Sequence, residues 1–342
     1  MSKAIALFSG GLDSTLAILV MLKQGIDITA ITFLNHFGCE IGDKSSCSKD
    51  PFAASVKFGF KVKMAHLSDK FIDIVKNPKF GHGKNMNPCV DCRILMLKEA
   101  KSLMDMTGAD FLITGEVLGQ RPMSQRRDTF PVIDREADVK GLVLRPLTAK
   151  LMNPTIPEEK GIVNRDLLYD FSGRSRKPQI ALAKELGLTE YPAPAGGCLL
   201  TEPNYSYRLQ ELLDHCADPD HKEINLLRVG RHFRYSPDCK IIVGRDKEEN
   251  EVILSTADDN DCTMHVPGYG SPVTIVTGNP NEEALLTAAS LCARYSAARH
   301  LSDVDVSVLM NRHKSVLKVQ PADEYVIAKY RIVQNDIQKV SL

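Results

Sequence analysis

Two stretches of the chain carry residues whose types and spacing suit chemistry on phosphate and sulfur. The first is FSGGLDST, residues 8–15, where two adjacent glycines and two serines follow the apolar run AIAL and precede the apolar run LAILVML. A turn of that composition between a buried strand and a helix points amides and hydroxyls inward beneath a helix N-terminus, which suits a phosphate or pyrophosphate. The second is NMNPCVDCRILML, which sets Cys89 and Cys92 as C-x-x-C at the start of a helix. There the helix dipole is expected to lower the thiol pKa. Much later, PAPAGGCLLT places Cys198 behind two glycines that permit close approach of the backbone to a bound group. Three cysteines so placed are suited to coordinate or to react.

The elements that must position them alternate. AIALF reads as a strand, STLAILVMLKQG as a helix and DITAITFL as a strand; PFAASVKFG and RILMLKEAKSLMDMTG then read as helices leading to the strands KVKMAHL and ADFLITGE. Such alternation predicts an α/β fold, a doubly wound parallel sheet with ligands beyond the C-terminal ends of its strands. Both FSGGLDS and LITGEVLGQ begin at such ends. Residues 1–150 are expected to form this nucleotide-binding domain, and the Pro- and Arg-rich residues 151–220 to add loops and helices that bring in Cys198. Residues 221–342 turn to short β-rich runs, CKIIVGR, EVILST, CTMHVP and PVTIVTG. The helix NEEALLTAASLCARYSAARH and the strand-like runs DVDVSVLM, KSVLKV and EYVIAKY follow, giving a smaller C-terminal α+β domain.

The glycine turn is not a Walker A loop, because SGGLDST has neither its glycine spacing nor its lysine, and it lacks the third glycine of a dinucleotide fingerprint. It resembles the PP-loop of the N-type ATP pyrophosphatases, S-G-G-x-D-S, through Ser9, Gly10, Gly11, Asp13 and Ser14. The resemblance implies ATP on this loop, with amides and the Ser9 and Ser14 hydroxyls on the departing pyrophosphate. Asp13 would hold Mg2+ or orient the loop. Enzymes of this kind activate a substrate oxygen as its adenylate and displace AMP with a nucleophile. Amide-forming members take ammonia from a glutaminase domain with an N-terminal cysteine, whereas this chain opens MSKA, so sulfur is the expected nucleophile.

Taken with TGEVLGQRPMSQ, the arrangement from GHGKNMNPCVDCRILML to PAGGCLL resembles the tRNA thiouridine synthetases, both the 2-thiouridylase-like and the 4-thiouridine synthetase-like group, over roughly the first two thirds of the chain. In one branch of that group cysteines handle persulfide sulfur directly. In another, a C-x-x-C and a distant cysteine hold a [4Fe-4S] cluster with an open iron. Cys89, Cys92 and Cys198 match the second pattern better, since a persulfide–disulfide relay needs only two thiols and soft thiolates suit iron–sulfur ligation. A structural zinc would need four ligands and no partner for Cys198 is obvious, although Cys39 and Cys47 could supply one or belong to a mobile substrate loop. Cys216, Cys239, Cys262 and Cys292 read as core residues. The resemblance also places Thr114, Gly115 and Glu116 near ATP and the target base, and Phe33 and Leu34 beside the adenine, where they serve equally as core.

Lys84, Gln120, Arg121 and Arg126 can reach phosphates of ATP or RNA. GRSRKPQ sets Arg174, Arg176 and Lys177 in an exposed turn before a helix, a further RNA contact or a solvated surface. His36, His66 and His82 each stand alone and are assigned to no ligand set. From VGRHFRYSPDCKIIVGRDKEENEVI to EEALLTAASLCARYSAARH the chain is similar to the RNA-binding domain of NFACT-type proteins. VGRDKEEN matches a V-G-R-N/D-x-x-x-N turn, while Thr263 or Met264 stands where that domain has a tryptophan before its buried histidine in CTMHVPG. Arg231 and Arg245, with Arg228, His232, Arg234 and Lys247, are expected to form a basic face.

The 342 residues hold 43 Lys plus Arg against 43 Asp plus Glu, so no global field draws in nucleic acid and any such binding is local. Nine cysteines, an odd number, with no bilayer-length apolar run and no signal-peptide pattern, point to a reduced, cytoplasmic setting. The expected activity is an ATP-dependent tRNA sulfurtransferase that adenylates a uridine carbonyl oxygen and replaces it with sulfur. Its partners would be tRNA and a sulfur donor, whether a cysteine desulfurase, a sulfur carrier or inorganic sulfide, and a homodimer is compatible. The rivals are an amidating or ligating PP-loop enzyme, which would not need Cys198, and a non-catalytic RNA-binding adaptor, which would not need Asp13.

Overall fold

A computed structural model describes residues 1–37, 51–193 and 198–333. Cys39, Cys47 and the two glycines before Cys198 lie outside the described residues. The chain divides into two compact units, Met1–Thr201 and Glu202–Leu342.

In the first unit the strands β1 (Lys3–Leu7), β2 (Asp27–Leu34), β3 (Lys61–His66), β4 (Phe111–Thr114) and β5 (Val143–Leu144) form one sheet in the order β3-β2-β1-β4-β5, every pair parallel. Its helices are α1 (Leu12–Lys23), α2 (Pro51–Phe58), α3 (Ser68–Lys76), α4 (Cys89–Thr107), α5 (Thr129–Glu136), α6 (Ile156–Glu159) and α7 (Lys177–Glu185). The two-residue period of β1 explains the double winding. Ala4 and Ala6 face the cluster built on Leu16, Ile18 and Met21 of α1, while Ile5 and Leu7 face the one built on Leu97 and Ala100 of α4. The direction of winding reverses between β1 and β4, which pair in register from Ala4–Phe111 to Leu7–Thr114. The glycine turn and Thr114 therefore emerge side by side at the switch point where open α/β sheets bind ligands.

The second unit comprises α8 (Pro203–His215), α9 (His221–Leu226), β6 (Arg231–Ser236), β7 (Cys239–Val243), α10 (Lys247–Thr256), β8 (Cys262–His265), β9 (Thr274–Gly278), α11 (Glu282–Arg294), β10 (Val304–Met310), β11 (His313–Val319) and α12 (Glu324–Tyr330). Its sheet has the order β11-β10-β8-β9-β7-β6 with antiparallel pairs, and α11 lays Ala284, Ala288, Ala289 and Cys292 on it. The unit begins earlier than residue 221 because α8 is fastened to it. Arg208 donates to Leu227 O at 3.1 Å and Gly230 O at 3.2 Å, and Glu211 accepts from Arg234 at 2.5 and 3.1 Å.

Two runs read as strands are helical. EVILST lies in α10 and EYVIAKY forms α12, because Asp246 accepts from Glu249 N at 2.9 Å and Asp323 from Val326 N at 2.8 Å, caps that outweigh β-branched propensity. Cys239, Cys262 and Cys292 are buried and Cys216 is half-buried. Among the described residues no helix is long and apolar enough to cross a membrane.

Candidate functional site

Between β1 and α1 the backbone turns through Gly10, whose φ of 71° needs glycine. The Ser9 and Ser14 hydroxyls lie 3.2 Å apart, Ser14 Oγ and Thr15 Oγ1 each donate to Gly11 O at 3.0 Å, and Gly11 N donates to Ser9 Oγ at 3.4 Å. No side chain caps α1, whose N-cap is Gly11, so amides of its first turn stay open to an anion. Asp13, in that turn, accepts from Gln120 Nε2 at 3.0 Å through Oδ2, while its buried Oδ1 has no partner among the described residues. Burial pushes its carboxyl up; Gln120, Arg176, Arg121 and Gln179 pull the other way. Gln179 does so without a hydrogen bond of normal geometry.

Gly115 fits against this turn. A Cβ there would lie 2.5 Å from Ser14 N and 2.6 Å from both Asp13 C and Ser14 Cα, so only glycine lets the strand end approach the loop this closely. Its neighbours face inward. Thr114 Oγ1 donates to Glu116 Oε2 at 3.1 Å, Arg145 Nε donates to the same oxygen at 3.1 Å, and Arg93 Nε lies 3.1 Å from Glu116 Oε1. Arg145 also grips Asp134 at 3.0 and 2.7 Å and lies 4.2 Å over the Phe130 ring. Burial opposes charge on Glu116, but Arg93 and Arg145 outweigh it and hold the carboxyl below its usual range. Glu116, expected near ATP and the target base, lies in a buried ion network. Arg93 and Arg145 carried no sequence signal, since they lie far from Glu116 in the chain.

Asn87 bridges two of the three thiols. Asn87 Nδ2 donates to Cys89 Sγ at 2.9 Å, and Cys198 Sγ donates to Asn87 Oδ1 at 3.8 Å. Two bonds tie the strip before α4 to the strip after Cys198: Met86 N to Leu200 O at 3.2 Å, and Asn85 Nδ2 to Thr201 O at 2.9 Å. Within the C-x-x-C, buried Asp91 accepts from Lys79 N and Phe80 N, both at 3.1 Å, which fixes the preceding turn. The lowered thiol pKa expected from the helix N-terminus is not found at Cys92. Burial pushes Cys92 up to about 12 and Cys198 up to about 11, against the pull of Arg93 and Arg121 on Cys92 and of Arg121 on Cys198. Desolvation of the thiolate outweighs the dipole. The three sulfurs interact electrostatically with one another. Soft thiolates are the ligand type an iron–sulfur cluster takes, but these three are not spaced to close on one ion. Among the described residues no group of three or more His, Cys, Asp or Glu is placed to hold a metal ion.

Residues 1–156 match the family model described as thiamine biosynthesis protein (ThiI), and residues 230–331 match the NFACT protein RNA binding domain. The first unit is thus similar to tRNA sulfurtransferases and 2-thiouridylases, hence thiouridine synthetase-like, and the second to the NFACT RNA binding domain, hence NFACT-like. It is 30% identical over 164 residues to the bifunctional protein NifU/MnmA of Rubrobacter xylanophilus, covering 44% of this chain and 32% of that one. With a probable tRNA sulfurtransferase of Thermococcus kodakarensis it shares 27% over 154 residues, 42% of this chain and 36% of that one. A crystal structure of a 4-thiouridine synthetase–RNA complex with bound ATP aligns at 21% identity, covering 55% of this chain and 52% of that one, with a TM-score of 0.35. The chain thus spans about a third of the length of the first curated relatives it matches.

In the thiouridine synthetase-like unit, Phe33 and Leu34 are half-buried at the end of β2, and Phe33 packs against the α4 cluster. Arg121, Arg174 and Lys177 are exposed, and Arg126 is taken by Asp128 at 3.1 and 2.9 Å. Arg176 is only half-exposed, lies near Asp13, and has a buried Nε with no partner among the described residues. In the NFACT-like unit the V-G-R-D-x-x-x-N turn is a staple. Asn250 accepts from Val273 N at 2.9 Å and donates to Ser271 O at 3.3 Å, and its amide oxygen would lie 2.1 Å from a Cβ at Gly244. Arg245 pairs with Glu249, and Arg231 stacks 4.4 Å over Tyr295, so neither is an unengaged cation. His265, placed by the motif as the buried histidine, is exposed at the end of β8. The buried one is His232, whose Nε2 lies 2.8 Å from Val229 O.

Proposed function

We propose that this chain transfers sulfur to a uridine of tRNA in a reaction driven by ATP. The reading is supported by one run of contacts: Gly115 lies against the Asp13–Ser14 backbone, and its neighbour Glu116 pairs at 3.1 Å with Arg93, the residue after Cys92, so a nucleotide at the turn and sulfur at the thiols would lie close together. ATP would lie on Ser9, Gly10, Gly11 and Ser14, and the open Oδ1 of Asp13 would take Mg2+. The uridine carbonyl oxygen attacks the α-phosphate and pyrophosphate leaves. Sulfur then adds at the ring carbon, and AMP departs with the former carbonyl oxygen. A nucleobase carbonyl is a poor electrophile, and adenylation supplies its leaving group.

Cys89, Cys92 and Cys198 would handle the sulfur; a 4Fe-4S cluster on them, which would supply a sulfide site, requires the thiols to draw closer than they stand. The chain's own part is geometric. Asn87 sets Cys89 against Cys198, Asp91 fixes the turn before α4, and Glu116 holds Arg93 beside Cys92. The NFACT-like unit would present tRNA, and the target base must leave its stack to reach the loop.

The test is anaerobic purification with iron, sulfide and visible-spectrum analysis, followed by ATP-dependent thiolation of unmodified tRNA. Cys198→Ala is expected to abolish thiolated nucleoside while ATP binding persists. Undiminished turnover in Cys198→Ala would favour an amidating or ligating reaction instead. Full activity of Cys89→Ala in protein free of iron would remove the cluster.

A further inference from the structure

The buried face of α7 runs through Gln179, Leu182 and Ala183, the i, i+3, i+4 spacing of a core-facing stripe. Leu182 and Ala183 pack into the α1 cluster. Gln179 stands where a third apolar side chain belongs, is 0% exposed, and makes no hydrogen bond of normal geometry through Nε2 or Oε1 among the described residues, its polar neighbour being the Asp13 carboxyl on which it pulls. A buried primary amide left with only a poorly aligned contact to a carboxylate marks a place where something else is held. Two further buried atoms nearby have no hydrogen-bond partner among the described residues: Nε of Arg176, at the N-cap of α7, and Oδ1 of Asp13. Gln179 and Arg176 both act on Asp13, so α7 aims its first turn at the glycine turn. The backbone carries it there, since Gly173 N donates to Leu118 O at 2.7 Å and Leu118 bridges Ser172 in parallel.

The open atoms define the ligand. Arg176, Arg121 and the Gln179 Nε2 are donors, two of them cationic, against the single negative charge of Asp13, which favours a polyanion. Oδ1 of Asp13 and Oε1 of Gln179 are acceptors that suit the hydrated cation such an anion carries. We propose that Gln179 and Arg176 form the second wall of the phosphate site, opposite Ser9–Ser14, and bind the β,γ-phosphates of a nucleoside triphosphate. This rests on the glycine turn holding ATP, and it moves Arg176 from the RNA surface to the nucleotide.

The test compares the full chain with Gln179→Leu, which keeps the volume and removes the amide, and with Arg176→Met. Calorimetric titration with ATP, pyrophosphate and AMP, each with Mg2+, is paired with melting of the ligand-free protein. Gln179→Leu is expected to melt a few degrees higher without ligand, because an unsatisfied buried group is gone, and to bind ATP and pyrophosphate about tenfold more weakly with AMP unchanged. Arg176→Met should show the same split between ATP and AMP. Unchanged ATP affinity in both variants, or AMP affinity falling in step with ATP, overturns the assignment. Wild-type protein that binds none of the three would instead refute the nucleotide reading of the glycine turn.

Discussion

Replacing Gly115 by alanine tests whether the glycine turn depends on the strand beside it. The added Cβ would sit 2.5 Å from Ser14 N and 2.6 Å from Asp13 C and Ser14 Cα, all backbone atoms that no rotamer change can move. Carbon contacts are comfortable at about 3.5–4.0 Å, so the turn must shift by about 1 Å. Overpacking of that kind costs about 1–3 kcal/mol, a drop of roughly 2–10 °C in melting temperature for a unit of this size. The functional loss should be larger, because a displacement of about 1 Å in a positioned site costs about 100-fold in rate. Calorimetric melting and ATP titration of Gly115→Ala, beside Gly108→Ala, separate the two effects. Gly108 has φ of 63° and nothing within 4 Å of its Cβ position, so its substitution costs about 1–2 kcal/mol of backbone strain and leaves ATP affinity alone. Wild-type melting and wild-type ATP affinity in Gly115→Ala would refute the proposed contact.

Glu116→Gln removes the anion shared by Arg93 and Arg145 and is expected to destabilise the first unit by about 3–5 kcal/mol. Since the folded carboxyl lies below its ordinary 4.5, the wild type gains stability from it above that pH and loses it as pH falls further, a slope absent from the variant in pH-resolved melts. Lys240, 7% exposed at its side chain, is pushed down by burial from 10.5 to about 8 among Glu211, Arg234, Glu223, Arg208 and His232. Between those values the unfolded chain binds a proton that the folded one does not. Wild-type stability in the second unit should therefore rise over that range, and Lys240→Met should flatten the rise and melt about as high or higher at pH 7. A rise of equal steepness in the variant would assign it to other groups.

How much of this the sequence could show depends on distance along the chain. The glycine turn was legible because Ser9, Gly10, Gly11, Asp13 and Ser14 are nearly contiguous and their role is set by one tight turn. The alternation of β1, α1 and β2 was legible because apolar period reports burial directly. Arg93, Arg145 and Asp134 were not, since nothing local distinguishes an arginine that pairs with a buried Glu116 from one on a solvated face. Gln179 was hidden for the opposite reason: a single amide in an otherwise apolar stripe looks like a surface residue until Leu182 and Ala183 are seen to be buried. EVILST and EYVIAKY misled because β-branched runs favour strands, whereas the aspartates that start α10 and α12 act through hydrogen bonds that composition does not weigh.

The segment Thr114-Gly115-Glu116 changes meaning once its contacts are known. It extends from the end of β4, the strand paired with β1, and its three residues act in different directions: Gly115 presses on the Asp13–Ser14 backbone, while Thr114 and Glu116 turn inward to Arg145 and Arg93. Arg93 is the residue after Cys92 and bears on its thiol, so this segment links the glycine turn to the cysteines. A reaction that first adenylates and then delivers sulfur needs both centres held to a fraction of an ångström relative to one another. A segment with no side-chain freedom at Gly115 and a fully buried ion network at Glu116 meets that need better than a flexible loop would. On the proposed reaction, its part is to hold the nucleotide turn and the thiols in a fixed relation.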